Sequence, residues 1–220
     1  MARPDAIPSD DTLTDQGAKL TGPDGRILLI ACGALAREIL AVIKANDWQH
    51  MDLVCLPAIY HNHPEKITDA VEAAVLKHRP NYETINVVYA DCGTGGQLFE
   101  KCKELRVEMV QGPHCYSFFE GNEVFAETSE TEFTALYLTD FLVRQFDAFI
   151  WKPLGLGRHP DLRDMYFGNY EKLIYQAQTN DPALDAMAED CAKRMQLKYE
   201  RRFTGYGDLE TTLKDWAGRS

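Results

Sequence analysis

Short aliphatic runs alternate with helix-like stretches through the first half of the chain, and each run leads into a turn containing glycine or proline. This is the pattern of repeated βαβ units. Residues 27–31, 53–56, 85–90 and 107–110 are predicted as strands. Between them, residues 34–45 place Leu35, Ile39 and Ile43 at four-residue intervals. Residues 64–78 begin on Pro64, which suits a first helical turn, and 95–105 follow the third strand. Strands that are apolar throughout imply an α/β fold with a mostly parallel, doubly wound sheet, because both faces have to be covered.

The second half reads as helical, packed on that sheet. Residues 136–151 carry Leu138, Phe141, Leu142, Phe146 and Phe149 on one stripe, with Asp140 and Arg144 paired four apart. A further helix is expected from His159 to Gln178, with Gly168-Asn169 as a kink or division, and others over 182–195 and 208–217. Residues 1–24, polar with Pro4, Pro8 and Pro23, are predicted as a flexible arm, and 25–220 as one α/β domain.

Composition narrows the function. The 220 residues hold 23 Lys and Arg against 34 Asp and Glu, a net charge of −11, which argues against a phosphate backbone as the main partner. The longest apolar run, residues 27–36, falls short of the roughly 20 residues of a membrane span. No secretory signal is legible, so a cytoplasmic protein with reduced thiols is expected, and the six cysteines are not a disulfide framework. Aromatic residues at 10% leave room for an oligomer interface without locating one.

The candidate chemistry lies just past the strands, where an open parallel sheet gathers its ligands. The first strand ends in Cys32-Gly33. The second leads to His61-Asn62-His63, the third to Asp91-Cys92-Gly93-Thr94-Gly95-Gly96, and the fourth to Gly112-Pro113-His114-Cys115. Cys32, Cys92 and Cys115 with His61, His63 or His114 are the donors of a soft-to-borderline metal site such as zinc. The competing reading is packing, since cysteine is among the most buried residue types; Cys55, Cys102 and Cys191 are read that way. A metal-free variant makes Cys32 or Cys92 a nucleophile before a helix. Gly93, Thr94, Gly95 and Gly96 read either as an anion cradle or as an ordinary tight turn. Arg158, His159, Arg163 and Tyr166 read as a substrate-orienting cluster or as a capped surface helix. Glu120, Glu127 and the 130–132 stretch read as solvated charge.

With those residues in view, the chain resembles the bacterial and archaeal family catalogued as domain of unknown function 1638. The resemblance is carried by Ala31-Cys32-Gly33-Ala34-Leu35, His61-Asn62-His63-Pro64, Tyr89-Ala90-Asp91-Cys92-Gly93-Thr94-Gly95-Gly96, Gly112-Pro113-His114-Cys115-Tyr116, Thr139-Asp140-Phe141-Leu142, the 158–170 segment and Thr204-Gly205-Tyr206-Gly207, over about residues 27–217. It implies one-carbon metabolism, because the family is similar to what is encoded beside corrinoid-dependent methyltransferases. A folate or corrinoid would then be the methyl partner, and a corrinoid protein or methyltransferase a protein partner. The chain lacks a DxHxxG cobalamin signature, so it is not expected to be the corrinoid carrier.

The expectation from sequence is a zinc- or iron-dependent enzyme of methyl or one-carbon transfer acting on a small molecule. Cys32, Cys92 and Cys115 are its metal ligands, His61, His63 or His114 the further ligand or general base, and the glycine turn and the 158–170 segment the substrate contacts. The competing class is a non-catalytic metal- or corrinoid-binding accessory protein.

Overall fold

The computed structural model describes residues 7–22, 24–129 and 132–219. They form an α/β protein that divides into two compact units. Unit 1 contains the described residues up to Phe118 and those from Asp208 onward, and unit 2 is Phe119–Gly207. The single domain expected for residues 25–220 is thus two units, the second inserted in the chain of the first.

Unit 1 is built on a five-stranded sheet in the order β1-β3-β2-β4-β5, from β1 (Ala18–Leu20), β2 (Ile27–Cys32), β3 (Met51–Leu56), β4 (Thr84–Val88) and β5 (Glu108–Met109). The last four are mutually parallel, with Ala31 opposite both Cys55 and Val88. Every residue of β2 is buried, which explains why Ile-Leu-Leu-Ile-Ala-Cys carries no polar alternation. The strand order also reverses beside β2: the chain goes from β2 to β3 on one side, then returns to β4 on the other. Crevices open at the C-terminal ends of strands at such a point. Connecting these strands are α2 (Ala36–Ala45), α3 (Ile67–His78) and α4 (Gln97–Leu105), close to the predicted helices.

The arm expected to be loose is instead docked where it is described. Here α1 (Asp10–Asp15) starts on Ser9, whose side chain accepts the Thr12 amide, and Arg37 pairs with Asp10 at 2.9 Å. Leu13 is fully buried, and β1 pairs antiparallel with β3. Polar composition hid two apolar anchors, Leu13 and Leu20, each of whose burial contributes about 2 kcal/mol. Residues 1–6 and Pro23 of the expected arm lie outside the described residues. Within the short α5 (Ser117–Glu120), the chain enters unit 2. It returns to unit 1 as the final helix, where Leu209, Leu213 and Trp216 are buried and the Trp216 indole N–H donates to Glu108 at 2.7 Å.

Unit 2 corrects the expectation of a helical second half. It holds a three-stranded parallel sheet, β6 (Ala135–Thr139), β7 (Lys172–Ala177) and β8 (Lys198–Phe203), together with α6 (Asn122–Ser129), α7 (Asp140–Arg144), a π-helical turn (Asp147–Trp151), α8 (Leu162–Phe167) and α9 (Pro182–Arg194). The predicted 136–151 helix joins a strand to a helix. Thr139 ends β6 and caps α7 by accepting the Leu142 amide at 3.3 Å, so Leu138 and Phe141 belong to different elements despite their helical spacing. Gly168-Asn169 likewise separates α8 from β7. Leu138, Leu173, Tyr175, Phe146, Ala188 and Cys191 are members of its core. The final helix, α10 (Gly207–Ala217), matches its prediction.

Glu120 and Glu132, expected as solvated charge, sit in an ion network. Arg202 contacts Glu120 at 2.7 Å and also reaches Glu132 and Glu200, while Lys172 holds Glu132 at 2.7 Å. Glu127 is exposed as expected, and Glu130 lies outside the described residues. Hydrogen bonds from Arg202 pull Glu132 down to about 2, although burial opposes them. A folded pKa below the unfolded value gives stability that is present above about pH 4.5 and is lost as pH falls toward 2. Glu132→Gln is expected to cost roughly 2 kcal/mol at pH 7 and almost nothing at pH 2, in urea titrations followed by circular dichroism. Equal costs at both pH values would remove the charge from the explanation. No helix among the described residues is long and apolar enough to cross a membrane.

Candidate functional site

The parallel pairing of β2 with β4 runs to Ala31 and Val88, so the next residues are Cys32, which ends β2 opposite Leu56, and Tyr89, which follows β4. Beyond β4 the chain continues as Ala90-Asp91-Cys92 and is held to the loop after β5. The Asp91 amide donates to Gly112 and the Cys92 amide to Pro113, both at 3.1 Å. That register delivers Cys115 to Cys92, and the two sulfurs are 3.0 Å apart. Cys92 and Cys115 are partly exposed and Cys32 is buried.

The three sulfurs share one electrostatic environment. The Cys115 thiol donates to Cys92, which lowers the Cys92 pKa in spite of burial and raises that of Cys115, so Cys92 is the first of the pair to lose its proton. Burial pushes the Cys32 thiol up to about 12, with the Cys92 charge adding to the rise and the Ala34 amide opposing it. Cys55, also buried, feels Cys32 and Glu38. The Tyr89 hydroxyl is enclosed by this group: burial raises its pKa, and Cys32, Cys115, Cys92 and Cys55 raise it further. It faces Cys32 but makes no hydrogen bond of regular geometry among the described residues. A buried hydroxyl left so costs about 1–3 kcal/mol.

Two of the three histidines belong to this neighbourhood. His114 stacks on Tyr116 with ring centroids 4.8 Å apart, and lost hydration lowers its pKa while Asp91 opposes the shift. His61 is exposed, yet desolvation and the His114 charge both lower its pKa. His63 points elsewhere, with Nδ1 at 3.4 Å from Glu65 on an exposed surface. As the side chains stand, no group of three or more His, Cys, Asp or Glu among the described residues is arranged to hold a metal ion.

The glycine turn is occupied by its own chain. The carboxylate of Asp91 accepts the Gly96 amide at 2.6 Å, the Gly95 amide at 3.2 Å and the Thr94 hydroxyl at 3.0 Å. The amides that an anion would use at Gly95 and Gly96 are therefore already engaged, and Thr94 is buried. Burial opposes ionisation of Asp91, but these donors outweigh it and lower its pKa. Glycine is required here because Gly93, Gly95 and Gly96 all have positive φ. Cys92 itself has φ 47°, an uncommon conformation for a side chain with a Cβ. Asp91→Ala is expected to destabilise the protein by about 2–3 kcal/mol, with partial rescue by Asp91→Asn, as measured by thermal unfolding. An unchanged melting temperature would show that the turn holds without its carboxylate.

Arg158, His159, Arg163 and Tyr166 belong to unit 2, whereas Cys32, Cys92 and Cys115 belong to unit 1. Arg158, His159 and Tyr166 are exposed. Arg163 is used structurally. Its guanidinium donates to the Met195 carbonyl at 2.7 Å and the Gln196 carbonyl at 3.3 Å, capping the end of α9, and it pairs with Asp164. Sequence reasoning missed Tyr89, Glu38 and the structural use of Asp91. The signals were a hydroxyl closing an aliphatic strand, a carboxylate inside the apolar stripe of α2, and an acid ahead of a run of glycines. Cys55, Cys102 and Cys191 are buried, as packing residues should be.

The model of the protein family of unknown function DUF1638 matches residues 55–213. The chain belongs to this family. The DUF1638 match takes in His61, Asp91, Cys92 and Cys115, and it begins after Cys32, so it is shorter than the 27–217 stretch read from sequence. No curated protein and no solved structure matches the chain.

Proposed function

We propose that this DUF1638 protein is a metal-dependent enzyme of methyl or one-carbon transfer centred on Cys32, Cys92 and Cys115. The observation that carries the reading is the 3.0 Å contact of Cys92 with Cys115, with Cys32 close enough to feel the Cys92 charge. Three sulfur donors from three βα units suit a soft or borderline ion such as zinc or iron. Two thiolates on one tetrahedral zinc stand about 3.8 Å apart, so taking up the ion requires this pair to open by less than about 1 Å.

A bound ion would supply Lewis acidity and hold a thiol in its nucleophilic thiolate form, which is the chemistry of moving a methyl group to sulfur. His61 or His114 would complete the donor set or act as general base, roles that imidazole fills near neutral pH. The Tyr89 hydroxyl, which has no regular acceptor among the described residues, is suited to donate to a fully deprotonated sulfur. A folate or corrinoid as methyl partner, and a corrinoid protein or methyltransferase beside this chain, complete the proposal and rest on the family resemblance.

The burial of Cys32 and Tyr89 favours a second reading, in which the site is closed by protein donors and the chain is a non-catalytic metal- or corrinoid-binding accessory protein. The test is elemental analysis of purified, reduced protein. One zinc or iron per chain is expected, and protein that arrives metal-free and takes up neither ion on titration would end the proposal. Exchangeable water on the bound metal would favour the enzyme, and its absence the accessory protein.

A further inference from the structure

We propose that Cys92 and Cys115 close reversibly into a disulfide, which makes the pair a site of thiol–disulfide exchange with small disulfides such as oxidised glutathione. Of the six cysteines, these two alone are partly exposed, while Cys32, Cys55, Cys102 and Cys191 are buried. Their sulfurs are 3.0 Å apart, and a disulfide bond of about 2.05 Å needs an approach of only about 1 Å. The backbone holds them in register through the Cys92 amide bond to Pro113. Beside them, Gly93 at φ 83° and Gly112 at φ 140° give both segments freedom for that small movement.

The exchange balances with the oxidant named. The Cys92 thiolate attacks one sulfur of the small disulfide, forming a mixed disulfide and releasing a thiolate that takes a proton from solvent. Cys115 gives up its proton and attacks Cys92 Sγ, forming the Cys92–Cys115 bond and releasing the second small thiol. Two protein thiols are oxidised and one disulfide is reduced to two thiols. The exchange does not depend on the metal proposal. If that proposal is correct, closure also occupies two of the three sulfur donors, so oxidation and metal loading exclude each other.

The experiment uses the full chain, reduced and stripped of metal, then equilibrated with oxidised glutathione. Wild type is expected to lose two of its six thiols, counted after denaturation, and to yield a Cys92–Cys115 linked peptide that dithiothreitol separates. Cys115→Ser is expected to stop at a glutathione adduct on Cys92. Six thiols remaining in wild type, or a linkage involving Cys32, would overturn the inference. Uptake of zinc or iron by the reduced protein is a separate arm. Closure without uptake of zinc or iron keeps the inference and removes the metal reading, and metal uptake without closure does the reverse.

Discussion

Cys92→Ser is expected to weaken zinc binding at least 100-fold, equivalent to about 2.7 kcal/mol, while the protein remains folded. Serine keeps the size of the side chain and replaces a soft donor with a hard one. Cys115→Ser should behave alike, whereas Cys102→Ser, on α4 and outside the cluster, should leave zinc affinity unchanged. Tyr89→Phe is the more discriminating companion. If the hydroxyl serves a charged site, its removal lowers zinc affinity about tenfold. The same change should stabilise the metal-free protein by about 1 kcal/mol, because a buried hydroxyl without a regular acceptor disappears. Opposite signs in the two forms are the signature. Tyr89→Phe destabilising the metal-free protein and leaving affinity intact would assign the hydroxyl to the fold alone. Calorimetric titration and thermal unfolding of both forms supply the readouts.

The second large effect is expected at Gly33. A Cβ there would stand 2.4 Å from the Leu13 carbonyl oxygen and 3.2 Å from that of Leu56, and both are backbone atoms that cannot swing aside. Gly33→Ala must therefore lift α1 or push Cys32 out of line with Tyr89. The expected cost is about 3 kcal/mol or more, a fall of roughly 6–12 °C in Tm. Removing residues 1–16 takes away the nearer obstacle, and in that shortened chain Gly33→Ala should cost less than about 1 kcal/mol. The same cost in both chains would place the conflict at Leu56 and not at Leu13. Zinc affinity of the full-length variant would show whether the junction also sets the position of Cys32.

Much of unit 1 was legible because β2, β3 and β4 are buried almost throughout. Ile-Leu-Leu-Ile-Ala-Cys admits few readings once a glycine and an amphipathic stretch follow it, and the convergence of Cys32, Cys92 and Cys115 came from that regularity. Unit 2 was harder. Its strand β8, Lys-Tyr-Glu-Arg-Arg-Phe, has no buried residue, so little apolar signal exists to find it. Its β6 shares a helical spacing with the helix after it, and only Thr139-Asp140 marks the join. Residue types alone also did not show what was already engaged. Asp91 fills the glycine turn and Arg163 caps α9, and both uses depend on partners that only the folded chain brings near.

The insertion of Phe119–Gly207 within unit 1 sets an order on synthesis from the N-terminus. Unit 2 is continuous and can close as soon as its last strand is made, whereas Leu209, Leu213 and Trp216 reach unit 1 only after unit 2 has been synthesised. The surface they cover, including the Glu108 acceptor of Trp216, stays open to water until residues 208–217 have been made. A stop codon just before Asp208 would therefore leave the unit that bears Cys32, Cys92 and Cys115 unfinished while sparing the inserted one.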